Sequence, residues 1–217
     1  MELRSRQLLY PDEQVVRFLS RRFPSHHDSD DNKTRNALDI GCGSGRHIKL
    51  LMDYGFCTWG IDYAIESINI VKKSFGTDLL FQDCLLGDFS KEQWEVKFDV
   101  VVGWGVFFLR QHNDIKQDIQ NLGKLLTPWG RVFINFRTKE NWFYGLGVEL
   151  EEDCFILDER AGSYKGICYT FTDLADIEKL VSGTGLRIDS VEKTSLTTKS
   201  LTELHSWFQV ELVSEKA

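Results

Sequence analysis

Three glycines at alternate positions follow a short apolar run that covers residues 37–40, and they are Gly41, Gly43 and Gly45. Glycine permits positive φ angles and lets the backbone approach a ligand closely. A helical pattern begins at once, so that free amides at its N-terminus would lie beside the ligand. A second apolar run ends at Asp62, whose carboxylate can accept two hydrogen bonds from a ribose diol. The combination predicts a site for a molecule that contains a nucleoside.

This pattern resembles the first motif of the class I S-adenosylmethionine (SAM)-dependent methyltransferases, in which an apolar strand and an acidic residue precede Gly-x-Gly-x-Gly. Asp39 and the three glycines match that motif. The NAD fingerprint differs, since it spaces its glycines as G-x-G-x-x-G. The resemblance covers roughly Leu38 to Phe136 by motif and the rest of the chain by the order of its elements. It implies SAM as the cofactor and a methyl acceptor as the substrate.

The resemblance also implies which residues hold the cofactor. Asp62 would bind the ribose hydroxyls, and Asp83 with the Cys84 amide would bind the amino edge of adenine. Gly41 and Gly43 would line the methionine part, with the Trp104 backbone beneath it. A helix cap or a turn is the alternative role for each of the two carboxylates. The full predicted cofactor set is Asp39, Gly41, Cys42, Gly43, Asp62, Tyr63, Asp83, Cys84 and Trp104.

Apolar runs separated by amphipathic helical stretches predict the elements that position these residues. The runs cover residues 37–40, 56–61, 78–82, 98–103 and 130–136. Alternation of this kind predicts parallel strands with helices on both faces. A helix with Thr172 as its N-cap comes next, and two consecutive strands, 186–194 and 205–213, predict a closing hairpin. We therefore expect an α/β, doubly wound, mostly parallel seven-stranded sheet whose last strand is antiparallel.

Ligands of open α/β sheets bind outside the carboxyl ends of the strands, which is where the acceptor residues are expected. Arg137 follows the fifth strand and could clamp a carboxylate or phosphate, or form a salt bridge with the acidic segment after it. His112 and His205 are candidate bases, although each could instead be a cap or a locally hydrogen-bonded residue. The predicted catalytic set is His205, Arg137 and His112, and the predicted substrate contacts are Tyr10, Arg110 and Tyr144.

A single methyltransferase domain is expected over residues 1–217. Residues 1–36 would supply an N-terminal helix and a polar linker. The linker contains His26, His27 and three aspartates, but nothing apolar orients them, so no metal site is predicted. Residues 138–170 are rich in aromatic and acidic side chains and are expected to form a cap insertion on the substrate side.

The overall composition limits the classes of partner. A net charge of −7 argues against tight nonspecific binding to nucleic acid or to anionic membranes, and no apolar stretch approaches the length of a membrane span. The five scattered cysteines fit free thiols in a reducing cytoplasm. A monomer or a homodimer is expected.

The acceptor is narrowed by residues 103–106, which read Gly-Trp-Gly-Val. Relatives that methylate amino groups of bases or glutamines often carry Asn/Asp-Pro-Pro-Tyr there. The difference favours methyl transfer to O or N of a small polar molecule, such as a sugar or another metabolite. Two alternatives stay open, a noncatalytic SAM-binding protein or regulatory subunit and an NAD-dependent oxidoreductase.

Overall fold

The computed structural model describes residues 8–24 and 34–215. The chain divides into two compact units. The first comprises the chain up to Gly103 together with Leu125–Phe133, and the second comprises Trp104–Lys124 and the chain from Ile134 onward. The single domain expected from the sequence stays a prediction, and the two units are described in turn.

The first unit alternates helices and strands along the chain. Its elements are α1 (Glu13–Arg22), β1 (Asn36–Ile40), α2 (Arg46–Asp53), β2 (Cys57–Asp62), α3 (Ile65–Phe75), β3 (Phe81–Leu86) and β4 (Phe98–Gly103). The strands pair in parallel in the order β3-β2-β1-β4. The carboxyl ends of these strands therefore lie along one edge of the sheet. The glycine turn follows β1 at that edge, and Asp62 is the last residue of β2.

Close packing of helix α2 on the sheet explains one glycine of this unit. A Cβ built on Gly60 would lie 2.7 Å from Ile48 Cδ1 and 3.0 Å from Cys84 Sγ, so a larger residue there would require these side chains to move. In β4 the run Val100, Val101 and Val102 is fully buried. A strand covered on both faces is apolar at consecutive positions, which is the pattern seen in the sequence.

The second unit contains the remaining elements, apart from a strand that the two units share. The shared strand is β5 (Leu126–Thr138), which begins in the first unit and ends in the second. The other elements are α4 (His112–Leu125), β6 (Val148–Glu151), β7 (Cys154–Ile156), β8 (Cys168–Thr172), α5 (Leu174–Val181), β9 (Leu186–Thr198) and β10 (Glu203–Ser214). Short 3₁₀ helices cover Phe107–Leu109 and Glu159–Tyr164.

Strand pairing in the second unit is mixed. The end of β5 pairs in parallel with β8, where Arg137 lies opposite Phe171. Strand β7 runs antiparallel to β8, and β6 runs antiparallel to β7. Strands β9 and β10 form a long antiparallel hairpin. The α/β fold with a mostly parallel sheet and an antiparallel last strand is therefore confirmed.

Three details of the sequence prediction are wrong. The described residues form ten strands rather than seven, because residues 148–172 add β6, β7 and β8. The third strand covers Phe81–Leu86 rather than residues 78–82. The N-cap of α5 is Asp173 rather than Thr172, because Asp173 and Asp176 form a reciprocal capping box.

Neither membrane spans nor metal clusters are found within the described ranges. In residues 8–24 and 34–215, no helix combines the length and the apolar character needed to cross a bilayer. The same ranges contain no group of three or more His, Cys, Asp or Glu side chains placed to hold a metal ion. The polar linker with His26 and His27 lies outside the described residues.

Candidate functional site

The glycine turn of the first unit has the backbone conformation that its sequence predicts. Gly41, Gly43 and Gly45 have φ angles of 68°, 53° and 83°. A side chain would strain all three positions. The Gly41 and Cys42 amides both donate to the Ile61 carbonyl, at 2.8 and 3.2 Å, which ties the turn to the end of β2. Glycine therefore permits the positive φ angles of the turn, and hydrogen bonds to the end of β2 fix its position.

Asp62 stands at the carboxyl end of β2, as predicted, and both of its oxygens face backbone amides. Oδ2 accepts from Gly43 N–H at 2.8 Å, and Oδ1 accepts from Ala64 N–H at 2.9 Å. The second bond closes a local turn before helix α3, whose N-cap is Ala64, and a ligand role for Asp62 stays a prediction. A carboxylate has about four lone-pair sites, which leaves acceptor capacity for two hydroxyl groups.

Asp39 is a buried carboxylate without a hydrogen-bond partner. Its exposed fraction is 1%, and within the described part of the chain neither oxygen accepts a hydrogen bond. Burial raises the pKa of Asp39 to about 8, an effect that Arg46 opposes and Asp62 reinforces. An orphaned carboxylate in this position is costly unless a cation is brought to it.

His47 is the neighbour of that carboxylate and stays neutral. Its Nε2 accepts from the Asp12 amide at 3.2 Å, so the ring proton is on Nδ1, which lies 3.9 Å from Asp39 Oδ1. Burial, together with the nearby Arg46 charge, lowers the pKa of His47 to about 3. A neutral imidazole supplies no charge to pair with an ionised Asp39. With a pKa of about 8 the Asp39 carboxyl is largely protonated at pH 7, and a cationic ligand would favour its ionised form.

The segment before helix α1 lies along the start of helix α2, a contact that the sequence did not reveal. Ser44 Oγ donates to the Leu8 carbonyl at 2.7 Å, and Arg46 Nη1 donates to the Tyr10 carbonyl at 3.4 Å. The Tyr10 side chain itself is 82% exposed. The backbone of this segment, rather than the Tyr10 ring, is what the structure places beside the glycine turn.

Because the third strand covers Phe81–Leu86, the aspartate next to its carboxyl end is not the predicted one. Asp83 lies inside β3 opposite Trp59, and its Oδ1 is 2.8 Å from Lys72 Nζ. The Cys84 amide is likewise inside the strand. The strand ends at Leu86, opposite Asp62, and Asp88 follows two residues later. The expectation that Asp83 stands at a strand end is therefore wrong, and Asp88 is the carboxylate next to that end.

Two predicted cofactor residues, Cys42 and Cys84, have side chains that are buried in the core of the first unit. Cys42 and Cys84 are buried with their Sγ atoms 3.4 Å apart, inside the apolar cluster that includes Ile48. The contact with Cys84 and the burial both raise the pKa of the Cys42 thiol, so that it stays protonated. Tyr63 is 65% exposed and follows Asp62 directly. A cofactor role for these three residues stays a prediction.

In the second unit, the end of β5 carries a buried arginine surrounded by rings. We call Phe108, Phe143, Tyr169 and Trp207 the aromatic cage. The guanidinium carbon of Arg137 lies between 4.6 and 5.9 Å from the four ring centroids, and Trp207 is the nearest. Arg137 is 8% exposed, and burial lowers its pKa. The cage stabilises the charge through cation–π contacts, each worth about 0.5–2 kcal/mol.

His205 lies on the same ring cluster, as the sequence predicted for the pair with Arg137. Its ring stacks on Trp207 with centroids 6.0 Å apart and meets Phe143 edge-on at 6.3 Å. Its Nε2 is 3.1 Å from Thr198 Oγ1 and 3.8 Å from Glu203 Oε2. Burial, Arg137 and Lys199 lower the pKa of His205, while Glu203 raises it. The ring is therefore neutral at pH 7 and can accept a proton.

We expect Arg137→Gln to raise the pKa of His205, since the nearby positive charge is lost while Lys199 and Glu203 remain. The measurement is an NMR titration of the histidine Cε1–H signals in the full chain. Arg160→Gln is the matched control, because Arg160 is exposed and paired with Asp158. An unchanged His205 pKa in Arg137→Gln would contradict the assigned electrostatic effect of Arg137 on His205.

The lowered pKa of His205 also predicts a pH dependence. If His205 acts as the base, the rate of methyl transfer should fall only below pH 6.5, the ordinary pKa of histidine, where the ring becomes protonated.

The other predicted acceptor residues lie elsewhere in this unit. His112 begins helix α4 and pairs with Glu151 at 3.1 Å, beside a pocket of about 380 Å³ lined by polar residues. Arg110 pairs with Asp118 at 2.9 Å, and the Tyr144 hydroxyl donates to Asp153 at 2.6 Å. The structure thus joins Arg137 with His205 and gives the other three different partners.

Trp104, predicted to close beneath the cofactor, is the first residue of the second unit. The turn after it is fixed, because the Gly105 amide donates to the buried side chain of Asn135 at 2.7 Å. Gly105 has a φ of 86°, which explains the glycine at that position. A cofactor contact of Trp104 stays a prediction.

Comparison with known proteins adds a family to this geometry. A family model described as "Methyltransferase domain" matches residues 37–130, which include the glycine turn and Asp62. A mitochondrial ubiquinone biosynthesis O-methyltransferase from Rattus norvegicus is 31% identical over 163 residues, which are 71% of this chain and 45% of that protein. The chain spans about half the length of the curated relatives it matches.

Solved structures resemble the fold over most of the chain. A SAM-dependent methyltransferase from Clostridium acetobutylicum has a TM-score of 0.68 at 16% identity, covering 98% of this chain and 94% of that one. A magnesium protoporphyrin IX methyltransferase from Synechocystis, solved with bound SAM, has a TM-score of 0.62 at 18% identity, covering 93% and 77%. At these identities the likeness establishes the fold.

Proposed function

We propose that this chain, which belongs to the class I SAM-dependent methyltransferases by the match of residues 37–130, transfers a methyl group to a small molecule. The observation that carries the proposal is the orphaned Asp39 carboxylate beside a glycine turn that is braced by Asp62. SAM supplies a methyl group activated by a positive sulfur, so the chain needs to position and desolvate the reactants.

Residues of the first unit fit this cofactor by their chemistry. Asp39 would hold a cationic group of the methionine part, because a buried carboxylate without a partner complements a positive charge. Gly41 and Gly43 would bring the backbone close to the same part, and Asp62 would accept from the ribose hydroxyls. We assign the adenine amino edge to Asp88 in preference to Asp83, since Asp88 is next to the strand end.

Residues of the second unit are proposed to serve the acceptor. His205 would remove a proton from the acceptor where one must be lost, and Arg137 would bind the acceptor. We retain residues 138–170 as a cap on the acceptor side. His112, Arg110 and Tyr144 remain candidates for substrate contact, each with the structural partner described above, and so does Tyr10, whose side chain is exposed.

Oxygen is the favoured acceptor atom in this proposal. The curated relatives are named O-methyltransferases of ubiquinone biosynthesis, and residues 103–106 lack the Asn/Asp-Pro-Pro-Tyr pattern. The sugar acceptor expected from the sequence has no support among these relatives. A noncatalytic SAM-binding protein is less favoured, because the ring cluster also carries a neutral histidine and an arginine placed for an acceptor.

A reducing, cytoplasmic location and a monomeric or homodimeric state are kept as proposals. The scattered spacing of the five cysteines in the sequence is the ground for the reducing compartment.

Turnover tests the proposal directly. We expect the full chain to convert SAM to S-adenosylhomocysteine (SAH) when it is incubated with a panel of hydroxylated small molecules, with the methyl group recovered on one of them. His205→Ala should retain SAM binding and lose turnover. Binding of SAM without turnover on any acceptor that docks to the chain would favour the noncatalytic alternative.

A further inference from the structure

Arg137 is a buried cation whose hydrogen bonds are incomplete. In the described part of the chain, its Nε and Nη1 have no hydrogen-bond acceptor, although both atoms are inaccessible to solvent. Tyr169, which forms a side-chain hydrogen bond with Arg137, and Tyr164 are the groups that raise the pKa of Arg137, and neither is a carboxylate. A guanidinium in such a place normally forms an ion pair, because an uncompensated buried charge is among the most costly arrangements in a protein.

The aromatic cage compensates only part of this cost. Ring faces attract the positive charge, and Tyr169 hydrogen-bonds to the guanidinium, but Nε and Nη1 are left without an oxygen acceptor among the described residues. The same ring cluster contains a further buried donor without a partner, the Trp142 indole Nε1. The Trp142 ring contacts Phe143 at 4.3 Å and His205 at 6.2 Å. Three donor atoms without a partner in the described structure, on two residues of one ring cluster, indicate a ligand with more than one acceptor oxygen.

We propose that Arg137 and the aromatic cage form a binding site for an oxyanion group, a carboxylate or a phosphate, carried by the methyl acceptor. This inference rests on the proposed function, and it specifies the substrate class of the same site. An oxyanion would accept a charge-assisted hydrogen bond from one of the two unpartnered donors of Arg137, Nε or Nη1, with the rings excluding water from the pair. The acceptor is therefore a small acid rather than a neutral alcohol.

The position next to His205 gives this site a consequence for the reaction. The Arg137 charge lowers the pKa of His205. An oxyanion bound to Arg137 offsets that charge and raises the pKa of the histidine. The acceptor would thus increase the basicity of the group proposed to take its proton, whereas a neutral acceptor would not.

Three probes that differ in charge test the site in the wild-type chain with SAH present. Benzoate carries a carboxylate, phenyl phosphate carries a phosphate, and benzamide is the neutral counterpart of benzoate. We expect the two anions to quench the fluorescence of Trp207 and Trp142 saturably and benzamide to bind about tenfold more weakly or not at all. The tighter of the two anions identifies the group that the natural acceptor carries.

Variants test the assignment to Arg137. Arg137→Gln should weaken benzoate binding about tenfold or more, and Arg137→Lys should weaken it less because it keeps the charge without the fork. Both should leave SAH binding unchanged, and the control Arg160→Gln should bind benzoate like the wild type. The inference is overturned if benzamide binds as well as benzoate, or if a folded Arg137→Gln retains benzoate affinity.

The oxyanion site and the proposed methyltransferase function would be contradicted by different results. Loss of anion binding with intact SAH binding removes the oxyanion site and leaves the proposed function. Absence of SAH binding removes the proposed function, and the anion titration without SAH still decides the oxyanion site. If Arg137→Gln does not fold, the three-probe comparison in the wild type decides.

Discussion

Asp39→Asn is expected to stabilise the ligand-free protein at pH 8 and to weaken its binding of SAM. The folded pKa of about 8 lies above the ordinary 3.8. The contribution of Asp39 to the free energy of unfolding is therefore fully present below pH 3.8. It decreases by about 1.4 kcal/mol per pH unit as pH rises from 3.8 to 8. Over the roughly four pH units between these values the loss is about 6 kcal/mol. A buried amide costs about 1–3 kcal/mol, which leaves a net gain on the order of 3–5 kcal/mol for Asp39→Asn at pH 8.

Cofactor affinity should move in the opposite direction. A charged hydrogen bond is worth about 1.5–3 kcal/mol, so the loss of the carboxylate should weaken SAM binding about ten- to a hundredfold. The measurements are urea unfolding at pH 5 and pH 8, and calorimetric titration with SAM. Asp53→Asn is the matched control, because Asp53 ends the adjacent helix and its side chain is 55% exposed.

The pH dependence of the stability of Asp39→Asn distinguishes a buried carboxyl without a partner from one that has a structural partner. The stability gain of Asp39→Asn should shrink between pH 8 and pH 5, because the wild-type carboxyl becomes protonated there in the folded state while it stays ionised in the unfolded state, so that the wild type gains stability. A variant that is less stable than the wild type at pH 8 would mean that Asp39 has a structural partner. Unchanged SAM affinity would remove Asp39 from the cofactor site.

Asp62→Ala is expected to have the largest effect on the cofactor. The carboxylate braces the glycine turn through Gly43 N–H and retains acceptor capacity for two hydroxyls. With about 1.5–3 kcal/mol for each charged hydrogen bond, SAM affinity should fall a hundredfold or more, roughly. Calorimetric titration of the variant measures the loss.

A second aspartate in the same unit provides the control. Asp78 Oδ1 accepts from Leu80 N–H at 2.9 Å, the same local turn that Asp62 forms with Ala64, but Asp78 is exposed and precedes a strand. Asp78→Ala should lose a similar amount of local stability and keep SAM affinity. Equal SAM affinity in Asp62→Ala and Asp78→Ala would reduce Asp62 to a turn residue.

The sequence predicted the first unit well because its signals are local. A glycine turn after an apolar run, and the uninterrupted valines of β4, each require one conformation whatever the rest of the chain does. The third strand was misplaced because Leu79 and Leu80 look like strand residues, whereas Leu79 is 94% exposed in the structure. That shift of four residues moved the strand-end carboxylate from Asp83 to Asp88.

The second unit was harder to predict because its contacts are distant in the sequence. The aromatic cage gathers Phe108, Phe143, Tyr169 and Trp207 around one arginine, and no spacing in the sequence marks them as neighbours. The strands of residues 148–172 are short and half polar, so alternation did not reveal them. The pairing of Arg137 with His205 was predictable, since an antiparallel last strand begins level with the ends of the parallel ones.

The central claim, that this chain binds SAM, is tested most directly by calorimetric titration of the wild-type protein. SAM and SAH should each give a saturable heat at one site, and NAD should give none. At a hundred times its Kd, either ligand should raise the free energy of unfolding by about 2.7 kcal/mol. No heat and no change in unfolding with SAM and SAH, or tighter binding of NAD than of either, would contradict the account.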